Sequence, residues 1–534
     1  MVKKNSISAS IFEGIRKDFH DFTTIINHRL SPERGLFTYH VNRPDESKMR
    51  LHLRIEPDGA GVLFIDVTDV IHLNSTAAEI TKMALDGIDE KMARVLLSQK
   101  YRWENEHQVD EDLSKIYQMV DHLCNHTGDC FTCALKGLLE TAPMFSVQVN
   151  APYKIDIALT YGCNNQCPHC YNEIDRFHMP SLPLIDWYKV LDKVAELGIP
   201  HIILTGGEAT LHPNLSEIIK YADQLGMIVG MNSNGRHVAH EPYMLELAKS
   251  GLNHIQITLG SCYPQVHNLV MGVDSFSQTV RGIENALNSG IHVITNTTLM
   301  QLNVDHAEEI VDFLFDKGIR TFAMNGMIYS GGGFSHPNAI PTNELAPLLV
   351  RIRDHAKSLG MRFLWYTPTE YCRFSPVELE VGAKRCNAGE YSICIEPNGD
   401  VLPCQSYYVS TGNILNDPWE EIWNNDLMIS FRNREDDPQL CGLPEICWEC
   451  PDLSLCGGGC RIELEAQDGI RVAESAGGGC VGCSGYVRLQ MEGEREKLIH
   501  RSDNDNHNHL GGYVPHASQR KANRRSSGIL QSDK

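Results

Sequence analysis

Residues 159–173 read LTYGCNNQCPHCYNE, and this stretch decides the interpretation of the whole chain. Its cysteines, Cys163, Cys167 and Cys170, form a C-x3-C-x2-C loop directly after an apolar run of strand type. Thiolates are the usual ligands of iron–sulfur clusters, and three of them leave one iron of a [4Fe–4S] cubane open. A zinc site normally takes four ligands, and no fourth ligand is evident within the loop. The loop therefore predicts an iron–sulfur site with an open iron, and a zinc loop or buried thiols are the alternatives.

The region around this loop alternates between short apolar runs and helical stretches. Six apolar runs begin near residues 155, 201, 227, 254, 292 and 321, and stretches such as LIDWYKVLDKVAEL separate them. Such alternation indicates right-handed parallel crossovers. We expect an α/β fold, a partial (β/α)6 barrel of the TIM type, over residues 151–365. Its site should lie at the carboxyl ends of the strands.

Glycines and polar residues stand where the second, third and fourth predicted strands end. The second run continues into TGGE, the third into SNG and the fourth into ITLGS. Glycine lets a backbone approach a ligand closely, and a carboxylate accepts hydrogen bonds from an ammonium group. The residues expected at this rim are Gly206, Gly207, Glu208, Ser233, Asn234 and Thr258.

Taken together, CNNQCPHC, TGGE and SNG resemble the radical S-adenosylmethionine (SAM) superfamily over about residues 150–335. The resemblance implies that the three cysteines hold a [4Fe–4S] cluster whose open iron chelates SAM, and that Glu208 contacts the SAM ammonium group. An electron from the cluster would then cleave SAM to methionine and a 5′-deoxyadenosyl radical. His169 takes the position of an aromatic residue near the adenine. Many relatives have an acidic residue where this chain has Gly260, so the contacts of Thr258 and Ser261 rest on position alone.

Cysteines concentrate again after the strand–helix alternation fades, at about residue 366. The spacing Cys386-x12-Gly399-x4-Cys404 is followed by CWECPDLSLCGGGC at residues 447–460. This pattern resembles the SPASM extension of radical SAM enzymes, which implies a cysteine-rich domain over residues 366–492 with two auxiliary [4Fe–4S] clusters. A pair of structural zinc sites is the alternative.

The SPASM resemblance also implies a set of ligands. Cys386, Cys404 and Cys460 would hold the first auxiliary cluster, with Cys394 or Cys441 as the fourth ligand. The second cluster would be held by Cys447, Cys450, Cys456 and either Cys480 or Cys483.

The residue after Cys404 bears on the reaction type. In anaerobic sulfatase-maturating enzymes an aspartate at this position acts as a base, and this chain has Gln405 there. The difference argues against that activity, although Glu396 and Asp400 lie nearby in sequence. No catalytic base is assigned from the sequence.

Residues 49–123 have the pattern of a small α+β module. Alternating apolar and polar residues between Leu51 and Leu73 flank a Pro/Asp/Gly turn, as in short antiparallel strands. Thr76 and Glu79 fit a capping box for a first helix, and two further helical stretches follow. The segment resembles the PqqD-like winged-helix module, which implies that the leader of a precursor peptide adds a strand to the sheet edge. A plain winged-helix domain is the alternative.

The remaining segments are less informative. Residues 1–48 are expected to form a helical lead-in, and the polar residues 493–534 are expected to be disordered. The linker over residues 124–150 carries three cysteines that either ligate a further metal or are buried apolar groups: Cys124, Cys130 and Cys133. Cys262 and Cys372 are lone thiols, which we expect to pack in the core.

Composition and charge limit the cellular compartment and the classes of binding partner that we expect. The formal charge of −21 at pH 7 opposes binding to nucleic acid, which relies on clustered Lys and Arg. No apolar run approaches the roughly 20 residues of a membrane span, and the amino-terminal residues lack a signal-peptide core. Most of the eighteen cysteines lie in short-spaced groups, which is typical of metal ligation in a reducing compartment. We expect a cytoplasmic protein without a membrane or nucleic-acid partner.

These features together predict a peptide maturase that acts through a SAM-derived radical. Its substrate would be a ribosomally made precursor peptide, and a thioether or carbon–carbon cross-link is the first choice of product. A reductant such as flavodoxin or ferredoxin would supply the electron. The alternatives are a peptide epimerase, a maturase of a whole protein or of a small cofactor, and a catalytically idle peptide-binding scaffold.

Overall fold

The computed structural model describes residues 34–44, 48–66, 69–100, 106–125, 149–334 and 336–466 of the 534-residue chain. Contacts divide these residues into two compact units. The first holds the part up to Asn150 together with Leu191–His201 and Gln224–Ile228, and the second holds the remainder. Within the described ranges no helix has the length and apolar character needed to cross a membrane.

The first unit begins with a four-stranded antiparallel sheet followed by three helices. The strands lie in chain order: β1 (Gly35–Asn42), β2 (Lys48–Ile55), β3 (Gly61–Ile65) and β4 (Asp69–Leu73). The helices are α1 (Ser75–Leu85), α2 (Glu90–Lys100) and α3 (Glu106–Asn125). Apolar side chains from both layers form one buried core, in which Leu51, Leu53 and Leu63 of the sheet meet Leu97 and Leu123 of the helices. Among the described residues, β1 and β4 are the outer strands of this sheet.

Two details of this module differ from the sequence-based predictions. The lead-in expected over residues 1–48 contains β1, whose side chains are mostly half-buried and so show little alternation. The capping box at Thr76 and Glu79 is wrong, because Asn74 caps α1 and its side chain accepts a hydrogen bond from Ala77 N at 2.8 Å. Glu79 is instead buried and pairs with Lys100 Nζ at 2.7 Å.

The six strands predicted for the partial barrel are all present in one sheet. They are β5 (Lys154–Thr160), β6 (His201–Gly206), β7 (Ile228–Ser233), β8 (His254–Thr258), β9 (His292–Thr298) and β10 (Thr321–Asn325). The intervening helices are α4 (Leu184–Glu196), α5 (Leu215–Gln224), α6 (Glu241–Ser250), α7 (Pro264–Met271), α8 (Phe276–Asn288) and α9 (Ala307–Asp316). The strands are neighbours in chain order, and β7 to β10 pair in parallel. The predicted α/β fold is confirmed.

Three further strands extend this sheet at its two edges. After α10 (Thr342–Ser358), β11 (Arg362–Trp365) pairs in parallel with β10. At the other edge β12 (Ser392–Ile395) pairs in parallel with β5, and β13 (Val401–Leu402) pairs with β12 in antiparallel. Short helices complete the cysteine-rich part: α11 (Trp419–Trp423), α12 (Asp426–Arg432) and α13 (Leu453–Cys456). The cysteine-rich part is therefore continuous with the barrel sheet.

A buried ion pair joins the residues after the cysteine loop to the β12–β13 hairpin. The guanidinium of Arg176 contacts Glu396 Oε1, which also accepts a hydrogen bond from Tyr161 OH at 3.0 Å. Glu173 is a second, looser partner at 3.6 Å, and the ring of Tyr408 lies 4.2 Å below the guanidinium carbon. Both charges are almost fully buried, so each depends on the other for compensation.

Removing the Glu396 carboxylate should destabilise the second unit strongly. We expect Glu396→Ala to lower the free energy of unfolding by about 3–5 kcal/mol, because Arg176 would remain buried with only its looser partner. Urea unfolding followed by circular dichroism measures the change. Glu308→Ala is the matched control, since Glu308 pairs with Arg351 at the surface and its loss should cost less than about 1 kcal/mol. Equal, small losses in the two variants would contradict the role given to the buried pair.

Candidate active site

The cysteine loop leaves the carboxyl end of β5 and is held by the chain that follows β7 and α7. Gln166 N donates to Met271 O at 3.1 Å, at the end of α7. Gly272 has a φ of +68°, and a Cβ added there would lie 2.0 Å from Gln166 O. From the β7 side, Arg236 Nη1 donates to Asn165 Oδ1 at 3.1 Å. The loop is thus fixed by backbone contacts that a larger residue at position 272 would break.

The three thiols of this loop are close enough to affect one another's pKa; Cys163 is exposed, whereas Cys167 and Cys170 are half-buried. Burial raises the pKa of Cys167 to about 12. A thiolate at Cys170 raises the pKa of Cys167 further, although this effect is smaller than that of burial. Such thiols stay protonated at neutral pH unless a cation compensates the thiolates, and iron does so. The donor set therefore fits a [4Fe–4S] cluster held by three thiolates.

Glu208 acts on the pKa of Cys163, and its carboxylate is held rigidly. Oε1 accepts hydrogen bonds from Thr210 Oγ1 at 2.6 Å and Ser233 Oγ at 2.8 Å, and Oε2 accepts from Asn234 N at 2.7 Å. Asn234 Nδ2 in turn donates to Asn164 Oδ1 at 2.6 Å, within the cysteine loop. The predicted rim residues Glu208, Ser233 and Asn234 are thus brought together beside the loop, with the carboxylate oriented before any ligand binds.

The two glycines of TGGE allow the ends of β5 and β6 to touch. Gly207 N donates to Thr160 O at 2.8 Å, and Glu208 N donates to Gly162 O at 2.9 Å. A Cβ at Gly206 would lie 2.0 Å from Thr160 O, and one at Gly207 would lie 2.3 Å from the carbonyl oxygen of Tyr161. The sequence predicted glycine here for the approach of a ligand, and the structure shows that the cysteine loop itself needs it.

The end of β8 is occupied by local hydrogen bonds. Gly260 N donates to His267 Nδ1 at 3.1 Å, and Gly260 O accepts from Asn303 Nδ2 at 2.8 Å. Ser261 is fully buried, and its hydroxyl accepts from the next loop, at Tyr263 N. Thr258, at the strand end, is half-buried. Gly260 and Ser261, where this chain departs from the radical SAM pattern, therefore form hydrogen bonds to neighbouring protein groups. Of the two predicted SAM contacts, Thr258 is the more accessible, since Ser261 is fully buried.

His169 lies in the cysteine loop with a buried ring atom, Nδ1, that has no hydrogen-bond partner among the described residues. Burial lowers the pKa of His169 to about 4, and His336 lowers it further, so the ring is neutral. Beside it, Gly332 N donates to Cys170 O at 2.7 Å, and a Cβ at Gly331 would lie 2.6 Å from that oxygen. The orphaned ring atom suits a ligand group. The contact of the glycines at 331–333 with the cysteine loop was not predicted from the sequence, although three consecutive glycines indicate a close backbone approach.

The predicted ligands of the first auxiliary cluster come together. Cys386 and Cys404 belong to one buried cluster with Phe431 and its neighbours. Burial raises the pKa of Cys404 to about 12, with a further increase from a thiolate at Cys386. The pKa of Cys460 is also raised, first by burial and then by Cys386. These three thiols therefore form a second donor set of the kind found in the cysteine loop.

The two candidates for its fourth ligand lie in different places. Cys394 is on β12, where it is fully buried in an apolar cluster with Tyr161 and Tyr408. Burial is the main cause of its raised pKa, followed by Asp156 and Cys404. Cys441 instead forms a cluster with leucines against which Cys447 and Cys450 pack. Of the two, Cys394 lies near Cys404 of the first auxiliary set, whereas Cys441 lies with Cys447 and Cys450.

Cys447, Cys450 and Cys456 form the third donor set. Burial raises the pKa of Cys447 to about 12, followed in effect by thiolates at Cys456, Cys372 and Cys450. Cys480 and Cys483, the two predicted choices for the fourth ligand, lie outside the described residues. Cys372, expected to be a core thiol, is exposed and lies near this group.

The acidic residues near Gln405 are committed to structural contacts. Glu396 pairs with Arg176, as described above, and Asp400 accepts hydrogen bonds from Asn398 Nδ2 and Asn413 Nδ2, each at 3.0 Å. Gln405 has a buried Oε1 without a hydrogen-bond partner among the described residues. Neither carboxylate is therefore placed as a free base.

The linker cysteines are only partly described. Cys124 is half-buried and packs against the core of the amino-terminal module, and burial raises its pKa. Cys130 and Cys133 lie outside the described residues. Across the described part of the chain, no three His, Cys, Asp or Glu side chains are grouped so as to hold a single metal ion.

Comparison with protein families identifies two of these regions. Residues 157–314 match the family model described as the Radical SAM superfamily, and residues 386–451 match the SPASM model, described as an iron–sulfur cluster-binding domain. The matched ranges contain the cysteine loop, the TGGE turn and the first two cysteines of each auxiliary set.

Individual relatives cover more of the chain. A PqqA peptide cyclase of Streptomyces rochei is 27% identical over 324 residues, which is 59% of this chain and 86% of the relative. The subtilosin biosynthesis protein AlbA of Bacillus subtilis is 27% identical over 425 residues, 75% of this chain and 89% of AlbA. The crystal structure of Streptococcus suis SuiB bound to SAM has a TM-score of 0.57 at 18% identity, covering 78% of this chain and 95% of SuiB.

Residues 157–314 therefore form a radical SAM domain and residues 386–451 a SPASM iron–sulfur domain, and the chain is an enzyme. Its cofactors are SAM and [4Fe–4S] clusters, as the sequence predicted. The fold shared with SuiB agrees with the partial barrel and the cysteine-rich part described above.

Gly207→Ala should disrupt the SAM site by separating the ends of β5 and β6. We expect the reconstituted variant to hold about four irons per chain fewer than the unmodified enzyme, and to form no 5′-deoxyadenosine. Iron analysis and chromatography of the SAM products measure the two effects. Gly326→Ala is the matched control at the end of β10, because an added Cβ there meets nothing closer than 3.7 Å. Full iron content and SAM cleavage in the Gly207 variant would refute the contact.

Proposed function

We propose that the chain is a cytoplasmic peptide maturase that uses the SAM-derived radical to modify a ribosomally made precursor peptide. The observation that carries the proposal is the combination, in one chain, of a radical SAM domain with a small antiparallel sheet whose outer strands, within the described residues, are β1 and β4. The names of two relatives support it, since one is a PqqA peptide cyclase and the other serves the biosynthesis of the bacteriocin subtilosin. SuiB, which shares the fold, has been solved with its precursor peptide SuiA.

The proposed docking edge is β4. Within the described residues β4 (Asp69–Leu73) is an outer strand of the sheet and pairs with β3, and we propose that an extended peptide adds along its other edge. Val70 on this strand is 36% exposed, in contrast to the buried residues of β3. Because strand addition uses backbone hydrogen bonds, it does not depend on a basic surface, which this acidic chain lacks overall. A leader bound here keeps the rest of the peptide at a high effective concentration on the same chain.

In the radical site we propose one role for each group. Cys163, Cys167 and Cys170 hold the cluster, which when reduced supplies the electron that cleaves SAM and so provides the radical that removes hydrogen from the peptide. Glu208 accepts a hydrogen bond from the SAM ammonium group, and the neutral ring of His169 contacts the adenosine part. A flavodoxin or ferredoxin is the proposed electron donor.

A thioether or carbon–carbon cross-link is the proposed product. Forming such a bond removes two hydrogens from the peptide: one leaves on 5′-deoxyadenosine, and the other leaves as a proton and an electron. The SPASM domain offers iron–sulfur clusters to take up that electron. Epimerisation needs no such acceptor, so the additional cysteine sets favour the oxidative product over an epimerase.

The proposal is tested by incubating the reconstituted enzyme with SAM, a reductant and a short peptide encoded beside its gene. We expect tandem mass spectrometry to show a peptide lighter by about two mass units, since a cross-link removes two hydrogens. Uptake of deuterium from solvent without another change would indicate epimerisation instead. If no neighbouring peptide changes while SAM is cleaved, the substrate is a protein or small molecule and the proposal fails.

The docking edge has its own test, Val70→Lys. A lysine on an edge strand hinders the addition of another strand, so we expect at least a tenfold rise in the Kd of the precursor peptide, measured by fluorescence anisotropy. SAM cleavage without peptide should stay at the level of the unmodified enzyme. Val95→Lys on α2 is the matched control, because Val95 is 49% exposed in the same unit but lies off the sheet. Equal affinities for both variants would exclude β4 as the docking edge.

A further inference from the structure

The middle of the barrel sheet presents polar side chains to the interior of the barrel. On β8, Ile257 is fully buried, whereas its neighbours Gln256 and Thr258 are half-buried. Ile257 points to the helical side, since a Cβ added at Gly235 would lie 2.9 Å from Ile257 Cγ2 and 3.4 Å from Thr279 Cα of α8. Successive side chains of a strand point to opposite faces, so Gln256 and Thr258 face the interior.

Asn232 on β7 lies on the same interior face. It pairs directly with Gln256, and two residues earlier Gly230 pairs with His254. A Cβ added at Gly230 would collide with the His254 ring, so this register brings side chains of β7 and β8 together on one face. Asn232 is half-buried, as Gln256 is.

Asn296 on β9 is the third amide of this face, and its carbonyl oxygen lacks a partner. Asn296 pairs with Thr258 on one side and with Ala323 of β10 on the other. Its Oδ1 is buried and has no hydrogen-bond partner among the described residues. A buried polar group without a partner costs free energy and calls for an explanation. On an interior face, a ligand that supplies the missing donor is such an explanation.

The three amides lie next to the radical site. Thr258 ends β8, and Gln256 lies two residues before it, about 7 Å along the strand. Asn232 directly precedes Ser233, whose hydroxyl donates to Glu208. A substrate held by these amides is therefore close to the strand ends that carry the SAM site.

The chemistry of the amides indicates what they bind. A primary amide offers both N–H donors and a carbonyl acceptor, and it carries no charge. These groups complement the C=O and N–H of a peptide bond, which is likewise uncharged. An anionic ligand would instead require Lys or Arg at these positions.

We propose that Asn232, Gln256 and Asn296 bind main-chain N–H and C=O groups of the peptide segment that is modified. The inference rests on the proposed function and adds how the segment is held at the reaction site. Because the contacts are to the backbone, the enzyme depends on the amide bonds of this segment more than on the side chains that flank the modified residue.

The test replaces single amide bonds of the peptide by esters, which lack the N–H donor. We expect kcat/KM of the unmodified enzyme to fall about tenfold for at least one ester near the modified residue, since one hydrogen bond is lost. Gln256→Met and Asn296→Leu keep the side-chain size and remove the amide. Each should lower kcat/KM for the all-amide peptide by about tenfold and should lose the sensitivity to an ester at one position. Mass spectrometry of the product measures these rates.

Asn296→Leu has a second readout, thermal unfolding without peptide. The substitution removes a buried acceptor that has no partner, so the Tm should equal or exceed that of the unmodified enzyme. A residue with a structural role alone would lower the Tm when it is replaced.

Gln265→Met is the matched control, because Gln265 is exposed on α7 and undergoes the same chemical change. It should keep the kcat/KM and the ester sensitivity of the unmodified enzyme. The inference is overturned if Gln256→Met and Asn296→Leu modify the peptide and respond to every ester as the unmodified enzyme does. If one of these variants does not fold, the ester series on the other decides. If the unmodified enzyme changes no peptide, the proposed function fails, and this inference fails with it.

Discussion

The close meeting of two backbones, at the ends of β5 and β6, is the constraint on which the rest of the site depends. Two amide hydrogen bonds, from Gly207 to Thr160 and from Glu208 to Gly162, join the chain just before the cysteines to the TGGE turn. The approach is so close that no side chain fits at Gly206 or Gly207. The same contact therefore fixes both the start of the cysteine loop and the position of the Glu208 carboxylate.

The carboxylate of Glu208 shows how much of the site is organised before a ligand arrives. A carboxylate has about four acceptor positions. Oε1 is saturated by Thr210 and Ser233, whereas Oε2 accepts from Asn234 N alone among the described residues. The free capacity for an ammonium group thus lies on Oε2. Because the carboxylate is already held, binding a cation there costs little side-chain entropy.

The sequence predicted the barrel and its thiols well because both signals are local. Each barrel strand is a short apolar run, and the cysteine and TGGE motifs follow such runs directly. The strand β1 escaped detection because its side chains are half-buried on both faces, and the cap of α1 was misplaced because Asn74, Ser75 and Thr76 are all good capping residues. The pairing of Arg176 with Glu396 joins distant parts of the chain. No spacing rule connects such residues, so only the fold could bring them together.

The cysteine-rich part also supports the SAM site physically. Tyr408, which follows the β12–β13 hairpin, donates its hydroxyl to Asn172 Oδ1 at 3.0 Å, and Asn172 Nδ2 donates to Gly206 O at 3.2 Å. Together with the Arg176–Glu396 pair, this chain of contacts connects the hairpin to the TGGE turn through buried polar groups. Buried polar groups that lose a partner are costly, so the arrangement is stable only when it is complete. Folding of the cysteine-rich part therefore stabilises the same backbone approach that places the cysteine loop beside Glu208, even though its own thiols lie elsewhere.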